Sequence, residues 1–339
     1  MATMLNPKYC VYVVNKKGNK YDITNALTDL VLSETESGIA QKVTLSMKQM
    51  KHDGTYTTKL INVHDKLYVY VNTGNGAKEL FRGYIWIDVY NKDDTNEISL
   101  TAYDRLIYLT ESQEYKFYSS GKSTKSIFQD ICKSKGITLK YSHSSIKHSK
   151  LVIKGTLADA FKTDLLEEVR KKTGSRGVIR YTQGTLEVFT EGKGSSSVYK
   201  LYSGDKGNII SSKHTVTMDG ITTKVIILGS EKDNKQVPIK ATVTGNTSEY
   251  GTIQKIVSSS DSDKLADLKK EAKQTIKDNG EPQKNVEVVA VNNPWIRKGD
   301  KVYLEDGYRS CYGHVKSITH DVQKGTMNLE LRLIAKSTT

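Results

Sequence analysis

The chain has 339 residues, 37% hydrophobic and 26% charged, with a formal net charge of +13. That length allows two or three domains with substantial cores. No apolar stretch approaches the roughly 20 residues that cross a bilayer as a helix, so no membrane span is expected, and the start Met1-Ala2-Thr3-Met4 shows no secretory pattern.

Three cysteines, Cys10, Cys132 and Cys311, lie far apart and make neither a metal pattern nor a disulfide framework. Free thiols are expected. The positive charge sits mostly on scattered lysines. It is densest from Lys122 to Lys154, where eight lysines accompany one acid, Asp130. With arginine scarce, this reads as a solvated basic surface rather than a bidentate phosphate site.

Residues 9–110 read almost wholly as β. Tyr9 to Val14 is a strand that ends at the turn Asn15 to Asn19, and Tyr21-Asp22-Ile23 resumes it. Val43, Leu45 and Met47 alternate with polar residues, and Leu67, Val69 and Val71 alternate with Tyr68 and Tyr70. That period of two marks half-buried strands. Phe81 to Tyr90 and Ile98 to Ala102 follow, and such short strands at close spacing predict a barrel or sandwich.

From 118 to 192 the pattern changes. Ile127, Phe128, Ile131 and Cys132 have helical spacing, and Gly136 suits the position after a helix end. Ile137 to Tyr141 is a strand. Thr156 is placed to cap a helix with the stripe Leu157, Ala160, Phe161, Leu165 and Val169, ending at Gly174. A hairpin turns at Thr182-Gln183-Gly184. Gly192 to Ser197 reads as a flexible linker. Residues 208–257 return to β, and a helix from about 262 to 279 carries Leu265, Leu268, Ala272 and Ile276 on one face. The division is therefore 1–117, a β module; 118–192, an α/β insertion; and 193–339, a second β module with one helix. The fold class is mainly β with an α/β insertion (α+β).

No catalytic constellation emerges. Gly121-Lys122-Ser123 resembles the end of a phosphate-binding loop, but Lys116 stands where that loop needs glycine, and a serine there more simply caps a helix. His143 and His148, in a Ser/Lys-rich loop, and His314 and His320 read as surface residues without metal-ligand spacing. Asp93, Asp94, Glu305 and Asp306 fall in turns, where acids are common for conformational reasons. The expected set is no catalytic residue, no metal and no cofactor.

Two features remain. Twenty tyrosines exceed Phe and Trp combined. Those within strands, Tyr68, Tyr70, Tyr84, Tyr303 and Tyr312, suit a protein interface, because the ring covers area while the hydroxyl stays wet, and equally suit cross-strand packing on a solvated face. The second feature is an internal repeat. Ile61-Asn62-Val63-His64-Asp65-Lys66-Leu67-Tyr68-Val69 matches Ile296-Arg297-Lys298-Gly299-Asp300-Lys301-Val302-Tyr303-Leu304 without a gap. Gly83-Tyr84-Ile85 then answers Gly313-His314-Val315, Asp88-Val89 answers Asp321-Val322, and residues 98–102 answer 327–331. Duplication gives one chain two similar surfaces.

The runs Gly299-Asp300-Lys301-Val302-Tyr303-Leu304, Tyr312-Gly313-His314-Val315, Ser317 to Val322 and Met327-Asn328-Leu329-Glu330-Leu331 resemble the ends of hub proteins of contractile phage tails. Phe81-Arg82-Gly83-Tyr84-Ile85 and Leu100 to Asp104 are similar to their N-terminal parts. The similar groups are the XkdQ/YqbQ-type prophage proteins, the Mu-type hub and, more distantly, the T4-type hub. The resemblance implies two tail-tube-like β-barrel modules around a small α/β domain. It implies a homotrimeric baseplate adapter that matches a sixfold tail tube to a threefold spike without chemistry of its own. The implied partners are the tail tube protein, the spike and other baseplate proteins. The implied location is the virion or a tail-like bacteriocin particle, assembled in the bacterial cytoplasm. Two other readings stand beside it. One is a tail-tip protein that binds or degrades cell wall through the basic insert. The other is nucleic-acid binding by the α/β insert, although no GXXG loop with stacking aromatics supports specific binding.

Overall fold

A computed structural model of the chain describes residues 7–92, 96–229, 237–259 and 265–334. Asp93, Asp94 and the expected helix start at 262–264 lie outside the described residues. The first part holds β1 (Lys8–Val14), β2 (Lys20–Asp22), β3 (Leu27–Glu34), β4 (Lys42–Lys48), the short β5 (Lys51–His52) and β6 (Thr55–Tyr56), β7 (Lys66–Asn72), β8 (Ala77–Asn91) and β9 (Glu97–Tyr103). The middle part holds α1 (Ile107–Glu111), β10 (Gln113–Tyr118), α2 (Thr124–Ser134), β11 (Thr138–Tyr141), β12 (Leu151–Thr156), α3 (Leu157–Asp159), a π-helical stretch (Ala160–Leu166), α4 (Glu167–Thr173), β13 (Gly177–Thr182) and β14 (Thr185–Thr190). The last part holds β15 (Tyr199–Tyr202), β16 (Ile209–Thr217), β17 (Lys224–Leu228), β18 (Ile239–Thr244), α5 (Thr247–Tyr250), β19 (Gln254–Ser258), α6 (Leu265–Asn279), β20 (Gln283–Val291), β21 (Lys301–Glu305), β22 (Ser310–Asp321) and β23 (Thr326–Leu333).

The fold is mostly β. One large sheet runs in the order β16-β20-β23-β22-β3-β4-β9-β8-β7-β1-β2, with β21 on β22 and β15 on β21. Its two halves are joined by β22, which pairs antiparallel with β3 from Ile318 opposite Glu34 to Asp321 opposite Val31. Each half buries its own core. Val11, Val43, Leu45, Met47, Leu67, Val69, Phe81 and Leu100 fill the first. Val286, Val288, Val302, Leu304, Val315, Leu329 and Leu331 fill the second. The alternation read in the sequence is the physical cause, since every second residue of a strand points to the same face.

The middle part builds a third core around Phe128, Phe161, Leu165 and Leu186, with the Phe128 and Phe161 rings stacked at 4.1 Å. Ser123 Oγ accepts the Ser126 N–H at 3.1 Å and caps α2, and Gly136 follows with φ 61°. Thr156 Oγ1 accepts the Asp159 N–H at 3.1 Å, and Gly174 ends α4 with φ 74°. Between those caps the chain is not one regular helix. Leu157, Phe161, Leu165 and Val169 recur every four residues and are all buried, a spacing that drifts ~40° per step around a 3.6-residue helix. The π-helical stretch absorbs the drift and keeps all four on the core face. The strands read at Lys224 and near Tyr250 are present as β17 and β19, and with β18 they form a separate three-stranded sheet, β18-β17-β19, covered by α6 through Leu268, Ala272 and Ile276.

Three readings are corrected. His143 and His148 are buried, not on the surface: His148 Nε2 lies 2.8 Å from Thr124 Oγ1, and His143 Nδ1 lies 2.9 Å from Thr190 Oγ1. His320 is buried as well. The Gly192–Ser197 stretch is not a free linker. Gly192 N–H donates to Gly299 O at 2.8 Å, and the Arg180 guanidinium donates to Gly194 O at 2.9 Å.

Candidate functional site: the duplicated aspartate turns and the junction they form

The two nine-residue runs occupy equivalent strands. Ile61 and Ile296 are buried, and so are Asp65 and Asp300. Asp65 Oδ2 accepts the Asn62 N–H at 2.8 Å, and Asp300 Oδ2 accepts the Arg297 N–H at 2.9 Å. Each carboxylate closes its own turn, as short acidic side chains do. The residue before each aspartate has a left-handed backbone, His64 with φ 71° and Gly299 with φ 84°. Its N–H donates across, His64 to Ile85 O and Gly299 to Val315 O, both at 2.7 Å. In return Ile85 N–H reaches Asp65 O and Val315 N–H reaches Asp300 O, both at 2.9 Å.

The match continues outward. Leu67 opposes Gly83 as Val302 opposes Gly313. β8 bulges between Ile85 and Ile87, and β22 bulges between Val315 and Ser317. Leu100 opposes Asp88, and its counterpart Leu329 opposes Ile318. The expected match of Asp88-Val89 with Asp321-Val322 is therefore out of register. The counterpart of Asp88 is Ile318, because a shared bulge, not residue similarity, sets the alignment.

The copies diverge at the three positions before the aspartate, and at the first two of them the junction forms. Asn62 and Val63 of the first turn are exposed, whereas Arg297 and Lys298 of the second reach into the first β part. Arg297 holds Glu34 with two parallel bonds, Nε to Oε2 at 3.0 Å and Nη2 to Oε1 at 2.7 Å. The Lys298 ammonium donates to Gly38 O at 2.7 Å and Thr35 O at 3.1 Å. Arg180, from the middle part, donates to Asp300 Oδ1 at 2.8 Å. Arg297 also donates to Thr182 Oγ1 at 3.1 Å. All three parts of the chain meet on this one buried cluster.

The electrostatics follow from burial and pairing. Burial pushes the Glu34 carboxyl up, but Arg297 outweighs it and holds the group at about 2. Asp104 accepts the Gln41 and Leu106 N–H groups, yet burial pushes its carboxyl up to about 7. Burial lowers the Lys298 ammonium to about 8 and raises the Asp300 carboxyl despite Arg180. His320 lies against this cluster. Its Nε2 bonds Ile296 O at 3.0 Å, its Nδ1 lies 2.7 Å from the Asn292 side-chain amide, and burial lowers it to about 4.

His320 gives a pH prediction. Its folded value, about 4, lies below its ordinary 6.5, so its contribution is complete above pH 6.5 and is lost as pH falls toward 4. Between pH 7 and pH 4.5 that loss is about 2 kcal/mol. The expected result is a shallower acid-side fall in urea-unfolding stability for His320→Gln than for the wild type, whatever the two absolute values are. Parallel curves for the two proteins would refute the assignment. Asp104 acts in the opposite sense, its contribution being lost as pH rises through about 7, and it is common to both proteins.

The five tyrosines fall on equivalent outward faces of the two halves. Tyr68 and Tyr70 stack at 6.4 Å, with Arg82 over Tyr68 at 5.9 Å. Tyr84 stacks on His64 at 5.0 Å. Tyr303 and Tyr312 oppose each other across β21 and β22 at 5.2 Å, with Lys301 over Tyr312 at 4.2 Å. Of the five only Tyr312 is more exposed than half-buried. Sequence reasoning missed Glu34, Asp104, Arg180, Arg297, Lys298 and His320. The available signal was the pair Arg297-Lys298 inside an otherwise shared motif. Among the described residues no group of three His, Cys, Asp or Glu side chains is placed to hold a metal ion, and no helix is long and apolar enough to cross a membrane.

A model of the YQBQ-like family matches residues 30–333. The chain belongs to that family. It is 23% identical to the protein YqbQ of Bacillus subtilis (strain 168) over 329 residues, covering 91% of this chain and 96% of YqbQ. It is 24% identical to the phage-like element PBSX protein XkdQ of the same organism over 286 residues, covering 81% of this chain and 85% of XkdQ. The crystal structure of the tail protein from Neisseria meningitidis MC58 has the same fold, with a TM-score of 0.72 at 16% identity over 96% of both chains. This YQBQ-like chain thus carries the duplicated aspartate turn, the bulge and the buried junction.

Proposed function

We propose that this YQBQ-like chain is a structural protein of a phage tail baseplate and, within it, the hub. Three copies form a ring in which two β modules per chain present six similar units to the tail tube and a threefold face to the spike. The modules are residues 1–117 and 193–339, and the α/β domain is 118–192. The observation that carries the reading is the equivalence of the two aspartate turns, which share a cap, a left-handed residue and a bulge. A chain that repeats one unit twice matches sixfold to threefold symmetry with three copies, through head-to-tail contacts that close by rotation. The outward tyrosines of β7, β8, β21 and β22 are the contact face for tube, spike and other baseplate proteins.

Nothing in this role requires catalysis, a cofactor, specific nucleic-acid binding or a membrane span. A prophage tail and a tail-like bacteriocin would use the same part, in a particle assembled in the bacterial cytoplasm. The test is the mass of the purified chain by analytical ultracentrifugation, together with its position in isolated tail particles by cryo-electron microscopy. The expected result is a trimer located between tube and spike. A chain that stays monomeric at high concentration and is missing from particles would overturn the reading.

A further inference from the structure

The two halves of the large sheet are alike, but their edges are not equally filled. In the second half, β22 residues Ile318 to Asp321 pair with β23 on one side and β3 on the other. In the first half, the counterpart residues Asp88 to Asn91 of β8 pair with β9 alone. The other edge carries no strand among the described residues. The same holds for β3. Its counterpart is β16: Leu27 opposes Met47 and a bulge separates it from Asp29, just as Ile209 opposes Ala290 and a bulge separates it from Ser211. Yet β3 has β22 on its far side, and among the described residues β16 pairs only β20.

Among the described residues one chain therefore leaves one open edge of each kind. Both carry exposed apolar side chains among polar ones such as Asp88 and Asn91 on β8 and Ser211, Ser212 and Lys213 on β16. Ile87, Val89 and Tyr90 are 47%, 44% and 40% exposed on β8, and Ile210 and Val216 are 60% and 57% exposed on β16. An unpaired edge with exposed apolar side chains invites strand addition.

We infer that β8 of one copy pairs with β16 of the next, reproducing between chains the β22–β3 contact made within each chain. The register follows from the equivalences. Ile318 opposite Glu34 becomes Asp88 opposite Val216. Thr319 opposite Ser33 becomes Val89 opposite Thr215. His320 opposite Leu32 becomes Tyr90 opposite His214, and Asp321 opposite Val31 becomes Asn91 opposite Lys213.

A second observation supports the same partner. Within the chain the contact is sealed by the Arg297 guanidinium and the Lys298 backbone N–H on Glu34, with the Lys298 ammonium on the Thr35 and Gly38 carbonyls. Their counterparts are Val63, Asn62 and Val216. Val63 is 50% exposed and Val216 57%. The charged seal of the internal contact is replaced by two bare valines at the external one, so that second copies meet through apolar area where the chain itself uses a buried ion pair. That exchange suits a contact between chains that must first exist apart in water, because exposed valines cost less than exposed unpaired edge charges would on reburial.

The inference rests on the ring reading of the proposed function and names its edges. It is tested by paired cysteines in a chain whose Cys10 and Cys311 are replaced by serine. Two double variants are made, Val89→Cys with Thr215→Cys, and Asp88→Cys with Val216→Cys. Neighbouring pairs in an antiparallel ladder alternate between narrow and wide, so one of the two is placed to oxidise. The expected result is that one variant converts most of the chain to a covalent species of three chain masses in non-reducing gels. The single variants and the off-register pair Val89→Cys with Ser211→Cys give none, and circular dichroism confirms each fold. A trimer by ultracentrifugation that neither pair cross-links overturns these edges and leaves the hub reading standing. Cross-linking by the off-register pair, or an open ladder of higher species, also overturns the inferred register. A folded chain that is monomeric throughout and missing from particles removes both readings.

Discussion

Arg297→Ala is expected to destabilise the folded chain by about 3–5 kcal/mol at pH 7, measured by urea unfolding. The cost comes from what remains, more than from the contact removed. Glu34 is 4% exposed, accepts both Arg297 bonds and is held ionised at about 2 only because that guanidinium opposes the burial penalty. Without it, a buried carboxylate faces Asp104 and Asp300 with Lys298 as its nearest cation. The charge must be neutralised by a proton or hydrated by opening the β3–β22 seam. The double variant Glu34→Leu with Arg297→Met is expected to regain most of the loss, because a buried ion pair is often close to neutral against an apolar pair of similar volume. A loss below about 1 kcal/mol for Arg297→Ala would mean that water already reaches the seam.

The second large effect separates the two copies of the repeat. Gly83 and Gly313 are counterparts, each opposite the first apolar residue of its neighbouring strand. An added Cβ at Gly83 would lie 2.1 Å from Tyr103 O and 2.5 Å from Phe81 Cζ. At Gly313 the nearest atom would be Arg332 O at 3.4 Å, an ordinary contact. Gly83→Ala must therefore push β9 away from β8 or displace the fully packed Phe81, at a cost of about 3 kcal/mol. Gly313→Ala is expected to fall within about 0.5 kcal/mol of wild type. Thermal or urea unfolding of the two variants side by side decides it. Equal losses would show that the first half relaxes around the added methyl. The glycine is shared by the repeat, but only the first copy needs it for close approach of backbone to side chain.

The strands were legible because their signal is local. Val43, Leu45 and Met47 alternate in sequence and are all buried in one core. The caps at Ser123 and Thr156 were legible for the same reason, since a cap and its target lie three residues apart. The π-helical stretch was harder: its stripe was visible, but the four-residue spacing that forces it was read as an ordinary helical face. The buried histidines were misread because polarity of the flanking residues says nothing about a distant partner. His143 is covered through Thr190 and His148 through Thr124, each across more than twenty residues of chain.

The sequence by itself determined that this is a mainly β chain with an α/β insertion, and that its first and last parts repeat one motif with a shared Asp-Lys pair. Periodicity and a nine-residue match suffice for that, because strand burial depends on neighbours in the chain. Only the tertiary structure decided which strand of one copy meets which strand of the other. The β22–β3 seam joins residues nearly three hundred positions apart, and the buried cluster of Glu34, Arg180, Arg297, Lys298 and Asp300 draws on all three parts. No local pattern encodes such pairings. They follow from the sum of burial, charge neutralisation and strand register that exists only once the chain is folded.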